Sequence, residues 1–150
     1  MATHPHPTPD ELATWRAFLE AHARAVAALD RQLAESGCGL DLREYDLLVH
    51  LAEAAPAGLR LRDLADRALV SRSNVTRRLE ALDQRGLARR RPDPDDGRGV
   101  IATLTPAGRR ALRRAAVVHL AGVKALVFSG QDVDLTALQR FLNGMARQGS

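Results

Sequence analysis

The sequence predicts a mainly α-helical fold that carries a single β-hairpin. Apolar residues make up 45% of the 150 residues but aromatic residues only 3%, so small and aliphatic side chains must fill the core. That composition suits closely packed helices better than a β-sandwich. Helix-capping residues precede several segments in which apolar residues recur every three or four positions. Two short candidate strands, separated by prolines and glycines, occur between positions 87 and 104.

The first helix is predicted to begin at Pro9, because Thr8 can cap it and Glu11 can close a capping box. It is expected to end in the Ser-Gly-Cys-Gly run at 36–39. Its apolar residues are spaced by three, four or seven positions, namely Leu12, Trp15, Leu19, Val26, Leu29 and Leu33. This periodicity is typical of an amphipathic helix.

Three further helices are predicted in the middle of the chain. The second starts at the cap-like Asp41 and stops before a Pro-Ala-Gly run at 56–58. A short helix is expected over 61–68. Ser71 then caps the next helix, which runs to position 84 or 85 and stops at the following glycine.

A hairpin of two short strands, at 87–91 and 100–104, is expected next. We expect Pro92 and Pro94 to end the strand pairing and to leave a loose tip. The tip contains two glycines, which allow a close approach to a neighbouring backbone.

Two helices complete the chain. Thr105-Pro106 repeats the cap-plus-proline start, and the helix after it is expected to reach about Val127. Its predicted apolar side consists of Leu112, Ala116, Leu120, Val123 and Val127. After a break at 129–134, the last amphipathic helix carries Leu135, Leu138, Leu142 and Met145.

A short helix, a tight turn, a second helix and a β-hairpin follow one another in the order of a winged helix-turn-helix. We therefore assign residues 1–150 to one domain with a winged helix-turn-helix core at 41–104. The flanking helices, at 8–35 and 105–147, have apolar faces that one small module could not bury. Those faces require further partners, which identifies these segments as candidate dimerisation helices.

The helix after Ser71 has a polar side suited to DNA. Val75, Leu79 and Leu82 share one face, and short polar or basic side chains occupy the rest of its N-terminal half. In helix-turn-helix proteins that half enters the major groove, where arginine can bridge two acceptors on guanine and asparagine can pair with adenine. The alternative is an ordinary solvated helix face. The candidate DNA contacts on this helix are Ser71, Arg72, Ser73, Asn74, Thr76, Arg77 and Arg78.

Positive charge is concentrated on the same region. Eight arginines and two acidic residues lie between positions 67 and 91, a balance of +6 against +4 for the whole chain. Such clustering is the electrostatic footprint of nucleic-acid binding, although a GC-rich genome also favours arginine. Arg89, Arg91 and Arg98 are the candidate contacts of the hairpin, with Arg98 placed at the tip to reach a minor groove. Asp96 is expected to stabilise the turn by pairing with an arginine and capping backbone N–H groups.

The stretch from Leu69 to Leu112 resembles the DNA-binding core of the MarR family of bacterial transcriptional regulators. The resemblance depends on Ser-x-Ser-x-Val-Thr at 71–76, on Asp-Pro-x-Asp-x-Arg at 93–98 and on Leu-Thr-x-x-Gly at 104–108. Gly97 departs from the family, which often has a basic residue there. The resemblance implies a sequence-specific homodimer with interleaved terminal helices. It also implies a pseudo-palindromic operator with half-sites ~34 Å apart and release of a repressor by a small aromatic or phenolic ligand.

Four aromatic side chains are candidate ligand contacts, because they lie on helices that would line the family's ligand-binding region: Trp15, His22, His50 and His119. Core or interface packing is the ordinary interpretation of each. Cys38 is a candidate redox sensor, since some relatives use one cysteine, but it follows the first helix and has no evident basic partner. A winged-helix module that binds protein instead of DNA is the alternative function.

Several classes of function are excluded or unexpected. A single cysteine allows no internal disulfide. The sequence has no apolar run of the ~20 residues that a membrane span needs and no secretory signal, so we expect a cytoplasmic protein. No arrangement of catalytic, phosphate-binding or metal-ligating residues rises above chance, so we expect no enzyme activity, cofactor or metal.

Overall fold

The structure is a computed structural model that describes residues 6–130 and 132–148. Six α-helices, three β-strands and one π-helical segment follow in the order α1 (Pro9–Glu35), α2 (Leu42–Glu53), β1 (Leu59–Arg60), α3 (Leu61–Ala68), α4 (Arg72–Gln84), β2 (Ala88–Asp93), β3 (Asp96–Leu104), α5 (Pro106–Val123), the π-helical segment (Lys124–Phe128) and α6 (Leu135–Gln148). The predicted winged helix-turn-helix with long helices at both ends is confirmed.

Local capping fixes where the helices begin. The Thr8 hydroxyl accepts a hydrogen bond from the Glu11 N–H, and the Glu11 carboxylate accepts one from the Thr8 N–H at 2.7 Å. Asp41 and Glu44 form the same reciprocal box at the start of α2. Side-chain oxygens of Ser71 and Thr105 likewise accept from the third residue of α4 and α5. These four predicted helix starts are therefore correct.

The sheet has a third strand that the sequence pattern did not predict. β3 lies in the centre, between β1 and β2, and both pairings are antiparallel. β1 contains two residues, too few to show an alternating pattern, and pairs Leu59 with Ala102. Gly58 has φ +82°, and a Cβ there would collide with the Ala102 carbonyl. Only glycine therefore lets the chain enter the sheet at this point.

The predicted loose hairpin tip is wrong. Pairing continues through Pro92, opposite Val100, to Asp93, opposite Asp96, so that only two residues form the turn. Proline is tolerated there because β2 is an edge strand, whose outward N–H groups have no ladder partner. Residues 97–99 form a bulge in β3 with no partner on β2. Arg98 thus lies in this bulge beside the turn rather than at its tip.

The core lies where α2, α3, α4 and the sheet meet the C-terminal part of α1 and the N-terminal part of α5. The largest fully buried side chains are Leu33, Leu47, Leu48, Leu51, Leu64, Val75, Leu79 and Leu82. The predicted inner face of α4 is therefore correct. Because this face is buried, the remaining sides of α4 point away from the core.

The predicted apolar side of α5 is buried only in part: Leu112 and Ala116 are half-buried and pack against the core. Leu120 and Val127 are 61% and 40% exposed, and the buried positions are Gly108, Ala111, Ala115 and Gly122. Small residues are buried because α5 packs closely on its neighbours: a Cβ on Gly122 would collide with Gln32 and Leu29 of α1. The side chains of Leu120 and Val127 consequently remain outside the protomer core.

Candidate nucleic-acid interface

The N-terminal half of α4 is open on its outer side. The side chains of Ser71, Arg72, Ser73 and Asn74 are exposed, as is Arg77. Within this surface, the Arg77 guanidinium donates to the Asn74 side-chain oxygen at 3.3 Å, and the Ser71 and Ser73 hydroxyls are 3.2 Å apart. The half-buried Thr76 donates its hydroxyl to the Arg72 carbonyl at 2.9 Å. The arrangement presents several hydrogen-bond donors at the free end of a helix.

An apolar residue borders this surface. Leu69, in the turn between α3 and α4, is 90% exposed and has φ +53°. It ends α3 in the left-handed conformation that glycine usually supplies. Leu69 is therefore an exposed apolar residue beside the start of α4.

Arg78 does not share the exposure of its neighbour. Its Nη1 donates to Oδ2 of Asp41 at 2.6 Å, and only 25% of its side chain is exposed. Arg85 similarly pairs with Glu44 at 3.0 Å. These pairs join α4 to the start of α2, so the charges of two arginines counted in the basic segment are already paired with carboxylates, although 40% of the Arg85 side chain remains exposed.

A third arginine of the segment is also partnered. Arg90 donates from Nε to Asp83 and from Nη1 to Glu80, both at 3.1 Å. The hydrogen bond to Asp83 is the main reason that the pKa of Arg90 is raised. The pairs attach β2 to α4 and neutralise part of the local charge, so the +6 balance overstates the field that a ligand would meet.

The other arginines of the wing, the β2–β3 hairpin, are exposed. Arg89 and Arg91 lie two residues apart on β2 and therefore on the face opposite to Arg90. Arg91 donates weakly to the Ala57 carbonyl at 3.4 Å. Arg98 is exposed within the bulge of β3. Three positive side chains thus extend from the wing.

The wing is anchored by Asp93, the first residue of the Asp-Pro-x-Asp-x-Arg motif, to which the sequence analysis assigned no role. Asp93 is 3% exposed, and its Oδ2 lies 2.6 Å from Nε of Arg60 at the start of α3. Its Oδ1 accepts the Asp95 N–H at 3.0 Å. Asp96 accepts the Arg98 N–H at 3.1 Å, and in the described part of the chain it forms no ion pair with the Arg98 side chain. The motif at 93–98 marked Asp93, but no local pattern indicated its ion pair with Arg60.

The four candidate ligand contacts lie on three helices: two on α1, one on α2 and one on α5. On α1, the ring of Trp15 lies 5.8 Å from Phe18, which lies 6.2 Å from His22, and Trp15 is 48% exposed. Where α2 meets α5, the ring of His119 lies 4.5 Å from that of Tyr45.

His119 on α5 and His50 on α2 are both half-buried imidazoles. Burial lowers the pKa of His119 and raises that of Tyr45. His50, on the same helix as Tyr45, lies 3.6 Å from Glu53 and 3.9 Å from Asp46. Nδ1 of both histidines is buried; that of His50 faces the Glu53 carboxylate, whereas that of His119 has no hydrogen-bond partner among the described residues. His119 therefore has a polar atom inside the protein that is available to a ligand.

Cys38 is half-buried in the segment between α1 and α2. In the described part of the chain, its thiol has hydrogen-bonding contacts only with the carbonyls of Leu33 at 3.6 Å and Leu40 at 3.7 Å. Residues 6–130 and 132–148 contain no group of His, Cys, Asp and Glu arranged to hold a metal ion. None of the helices in those ranges is long and apolar enough to cross a membrane.

Comparison with known proteins places this geometry in a family. A sequence model described as MarR family matches residues 39–99. The crystal structure of Sco3205 in complex with DNA, a MarR family transcriptional regulator from Streptomyces coelicolor, is 33% identical, with 97% of this chain and 91% of that chain covered and a TM-score of 0.84. The chain belongs to the MarR family of transcriptional regulators. Its winged helix is thus that of DNA-binding regulators of transcription.

Two other MarR-type proteins support the assignment. AbsC, a second regulator from Streptomyces coelicolor, is 29% identical with a TM-score of 0.84, and 97% of both chains is covered. The HTH-type transcriptional regulator PecS from Dickeya dadantii is 28% identical over 123 residues, which cover 80% of this chain and 74% of PecS. The MarR resemblance inferred from the sequence motifs is therefore confirmed over nearly the whole chain.

Proposed function

We propose that this MarR protein is a homodimeric, sequence-specific repressor that binds a pseudo-palindromic DNA operator and is released by a small aromatic or phenolic ligand. The observation that carries the proposal is the open N-terminal half of α4, where exposed arginines and an asparagine surround a helix start whose inner face is fully buried. A repressor role follows if the bound dimer covers a promoter and thereby excludes polymerase. Such a protein acts on the genome, which in a bacterium lies in the cytoplasm.

We assign the DNA contacts by exposure and reach. Arg72, Asn74 and Arg77 are proposed to meet base edges in the major groove, because their long or bidentate side chains are exposed at the start of α4. The hydroxyl groups of Ser71, Ser73 and Thr76 suit phosphate oxygens. Arg78 is removed from the contact set because Asp41 already occupies its guanidinium.

The wing is assigned a different role from α4. Arg98 is proposed to enter a minor groove, since the bulge projects it from the strand and the groove attracts positive charge. Arg89 and Arg91, on one face of β2, suit the neighbouring phosphates. Asp93 and Asp96 hold the turn in shape and take no part in the contact.

Unpartnered apolar faces support a dimer. Three parts of the chain carry large apolar side chains that are 40–54% exposed: the N-terminal part of α1, the π-helical segment and α6. They belong to the terminal helices proposed to associate with a second copy. Association would bury these faces and place two copies of α4 about one helical turn of DNA, ~34 Å, apart.

The ligand is proposed to bind where α2 meets α5. The buried Nδ1 of His119, which has no hydrogen-bond partner among the described residues, can hydrogen-bond to a hydroxyl or carboxylate, and Tyr45 offers a ring for stacking. We assign Trp15 and His22 to the dimer interface instead, because they lie on the half-exposed side of α1.

Selection from a random duplex library, followed by titration of the enriched duplex at several salt concentrations, tests the proposed function. We expect an inverted repeat to be enriched. We also expect its affinity to fall steeply with salt, as it does when several phosphates are neutralised. Failure to enrich any repeat, or an affinity that does not change with ionic strength, would contradict DNA reading. Candidate phenolic acids added to the complex then test release.

A further inference from the structure

The start of α2 is bound to α1 on one side and to α4 on the other. Oδ1 of Asp30, on α1, accepts the N–H of Leu42 at 2.9 Å. Asp41 and Glu44 cap α2, and each also accepts a hydrogen bond from an arginine of α4 or its C-cap. The two capping residues therefore serve a second purpose, because neither arginine is needed to start the helix.

The two arginines hold α4 at two points. Arg78 and Arg85 are seven residues, or about two turns, apart, so they lie on one side of the helix and ~10 Å apart along its axis. Nη1 of Arg78 lies 2.6 Å from Asp41, and Nη1 of Arg85 lies 3.0 and 3.1 Å from the two oxygens of Glu44. Two separated contacts restrict the rotation of α4 about either contact and its sliding along its own axis.

Arg85 makes the tighter junction. Its Nη2 donates to the carbonyl of Gly39, so that one guanidinium joins α4 both to α2 and to the segment arriving from α1. The planar guanidinium can donate from two nitrogens to two different acceptors. The single ammonium group of lysine cannot reproduce this geometry. The Glu44 side chain is only 13% exposed, which limits competition from water.

The apolar core does not provide the same constraint. Val75, Leu79 and Leu82 attach α4 to the domain, but burial of aliphatic surface has no directional preference. Hydrogen-bonded ion pairs do have one, and here they connect α4 to the start of α2, which the Leu42–Asp30 hydrogen bond joins to α1. They consequently set the direction of α4 relative to the proposed dimerisation helix.

We propose that Arg78 and Arg85, through Asp41 and Glu44, are positioning residues that fix the separation and orientation of the two α4 helices in the dimer, and so select operators by half-site spacing. This inference rests on the proposed function. Adding one base pair between half-sites moves them apart by ~3.4 Å and rotates one relative to the other. A firmly held pair of α4 helices rejects such a duplex, whereas a loosely held pair accepts it.

Two variants separate this role from charge and from helix capping. Arg85→Lys keeps the positive charge but loses the fork. Glu44→Gln removes the ion pair but keeps a side chain that can complete the capping box. Arg67→Lys is the matched control, because Arg67 is exposed on α3 and forms no ion pair within the described residues.

The first experiment measures affinity for the selected operator and for a version lengthened by one central base pair. We expect the wild-type preference for the natural spacing to shrink about tenfold in both variants, the factor that corresponds to one lost charge-assisted bond. Melting temperature and salt dependence should stay close to wild type, and Arg67→Lys should change nothing. An equal loss of affinity on both duplexes would overturn the inference, because it would indicate a stabilising role alone.

A second measurement needs neither operator nor dimer, so failure of the proposed function can be told apart from failure of this inference. Spin labels on Arg31→Cys of α1 and Gln84→Cys of α4, in a Cys38→Ser background, report the α1–α4 distance by pulsed double resonance. Labelled chains are diluted with unlabelled protein to exclude distances between protomers. We expect Arg85→Lys and Glu44→Gln to broaden the distance distribution, and unchanged widths would refute the positioning role.

Discussion

Arg77 and Arg78 are neighbours in sequence, yet they leave α4 about 100° apart. Arg78 meets the carboxylate of Asp41, whereas Arg77 is exposed and hydrogen-bonded to Asn74. The difference arises from a residue 37 positions away, which no local pattern reveals. Arg77 is exposed and has no acidic partner among the residues that the structure describes, which favours it for the proposed contact with a base edge.

Arg77→Ala should weaken binding to the selected operator by about 1–3 kcal/mol and relax the preference at one base pair, because a bidentate contact with guanine would be lost. Anisotropy titrations against operators substituted at single positions measure both effects. Arg67→Ala is the control, since it removes the same charge from an exposed site outside the proposed contact surface. A uniform weakening across all substituted operators would show that Arg77 contacts phosphate instead.

His119 makes stability depend on pH. Burial lowers its pKa, and the opposing effect of Asp46 is smaller. The folded state therefore favours the neutral ring, while the unfolded chain binds a proton near pH 6.5. The stability that the protein gains from a neutral His119 is complete above that pH. It is lost as the pH falls towards the lowered pKa of the folded state.

Replacement of His119 by phenylalanine should remove this part of the pH dependence, because a phenyl ring can pack on Tyr45 but cannot bind a proton. Urea unfolding between pH 7.5 and pH 5 provides the free energies. We expect the wild type to lose more stability than His119→Phe on acidification. Parallel curves for the two proteins would mean that other groups cause the acid sensitivity.

At the scale of elements, the helices were predictable and the sheet was less so. A capping side chain accepts a hydrogen bond from the residue three positions further on, so the start of a helix can be recognised locally. Four helix starts were predicted in this way, from Thr8, Asp41, Ser71 and Thr105. β1 has two residues and exists because β3 lies beside it. The buried pair of Arg60 and Asp93 likewise depends on the folded wing. Contacts between distant segments were therefore the part that sequence periodicity could not supply.

The start of α5 is another such contact. The Thr105 hydroxyl donates to the Gly86 carbonyl at 2.7 Å and accepts the Gly108 N–H at 2.9 Å, which brings α5 against the end of α4. A Cβ on Gly108 would collide with the Leu87 carbonyl and lie 2.8 Å from Leu104 Cδ1. Backbone atoms cannot yield as a flexible side chain can.

Gly108→Ala should therefore lower the free energy of unfolding by about 1–3 kcal/mol, even though alanine is the better helix former. The shift in the midpoint of urea unfolding measures this loss of stability. Gly97→Ala is a suitable control, because a Cβ at Gly97 would meet nothing within 4 Å. If both variants unfold alike, α5 is not held closely at this point.

At the scale of the whole molecule, the first and last described helices expose large apolar side chains. Leu12, Trp15 and Leu19 of α1 are 40–48% exposed, and none of the α6 side chains from 135 to 147 is buried. Soluble monomers rarely expose such continuous apolar surface. The sequence allowed us to predict that the terminal helices carry more apolar residues than one module can bury. It could not show which surface covers them, because that surface would belong to a second chain.

Phe141→Asp tests whether α6 completes a dimer. Phe141 is 54% exposed in one copy, and a carboxylate buried there against a second copy would be strongly unfavourable. Sedimentation velocity should show a dimer for the wild type and a monomer for the variant. Since Trp15 is the only tryptophan, its emission should shift to the red on dissociation.

The same variant should bind the two-half-site operator about 10²–10⁴-fold more weakly, because the second half-site is no longer bound by a linked module. Leu69→Asp is the control for the added charge. Leu69 is 90% exposed at the opposite, DNA-proximal end, so this variant should remain a dimer whatever its effect on DNA affinity. If Phe141→Asp sediments with the wild type and Trp15 emission is unchanged, α6 does not lie in the interface. The spacing of the two α4 helices would then have to be set by α1 and α5 alone.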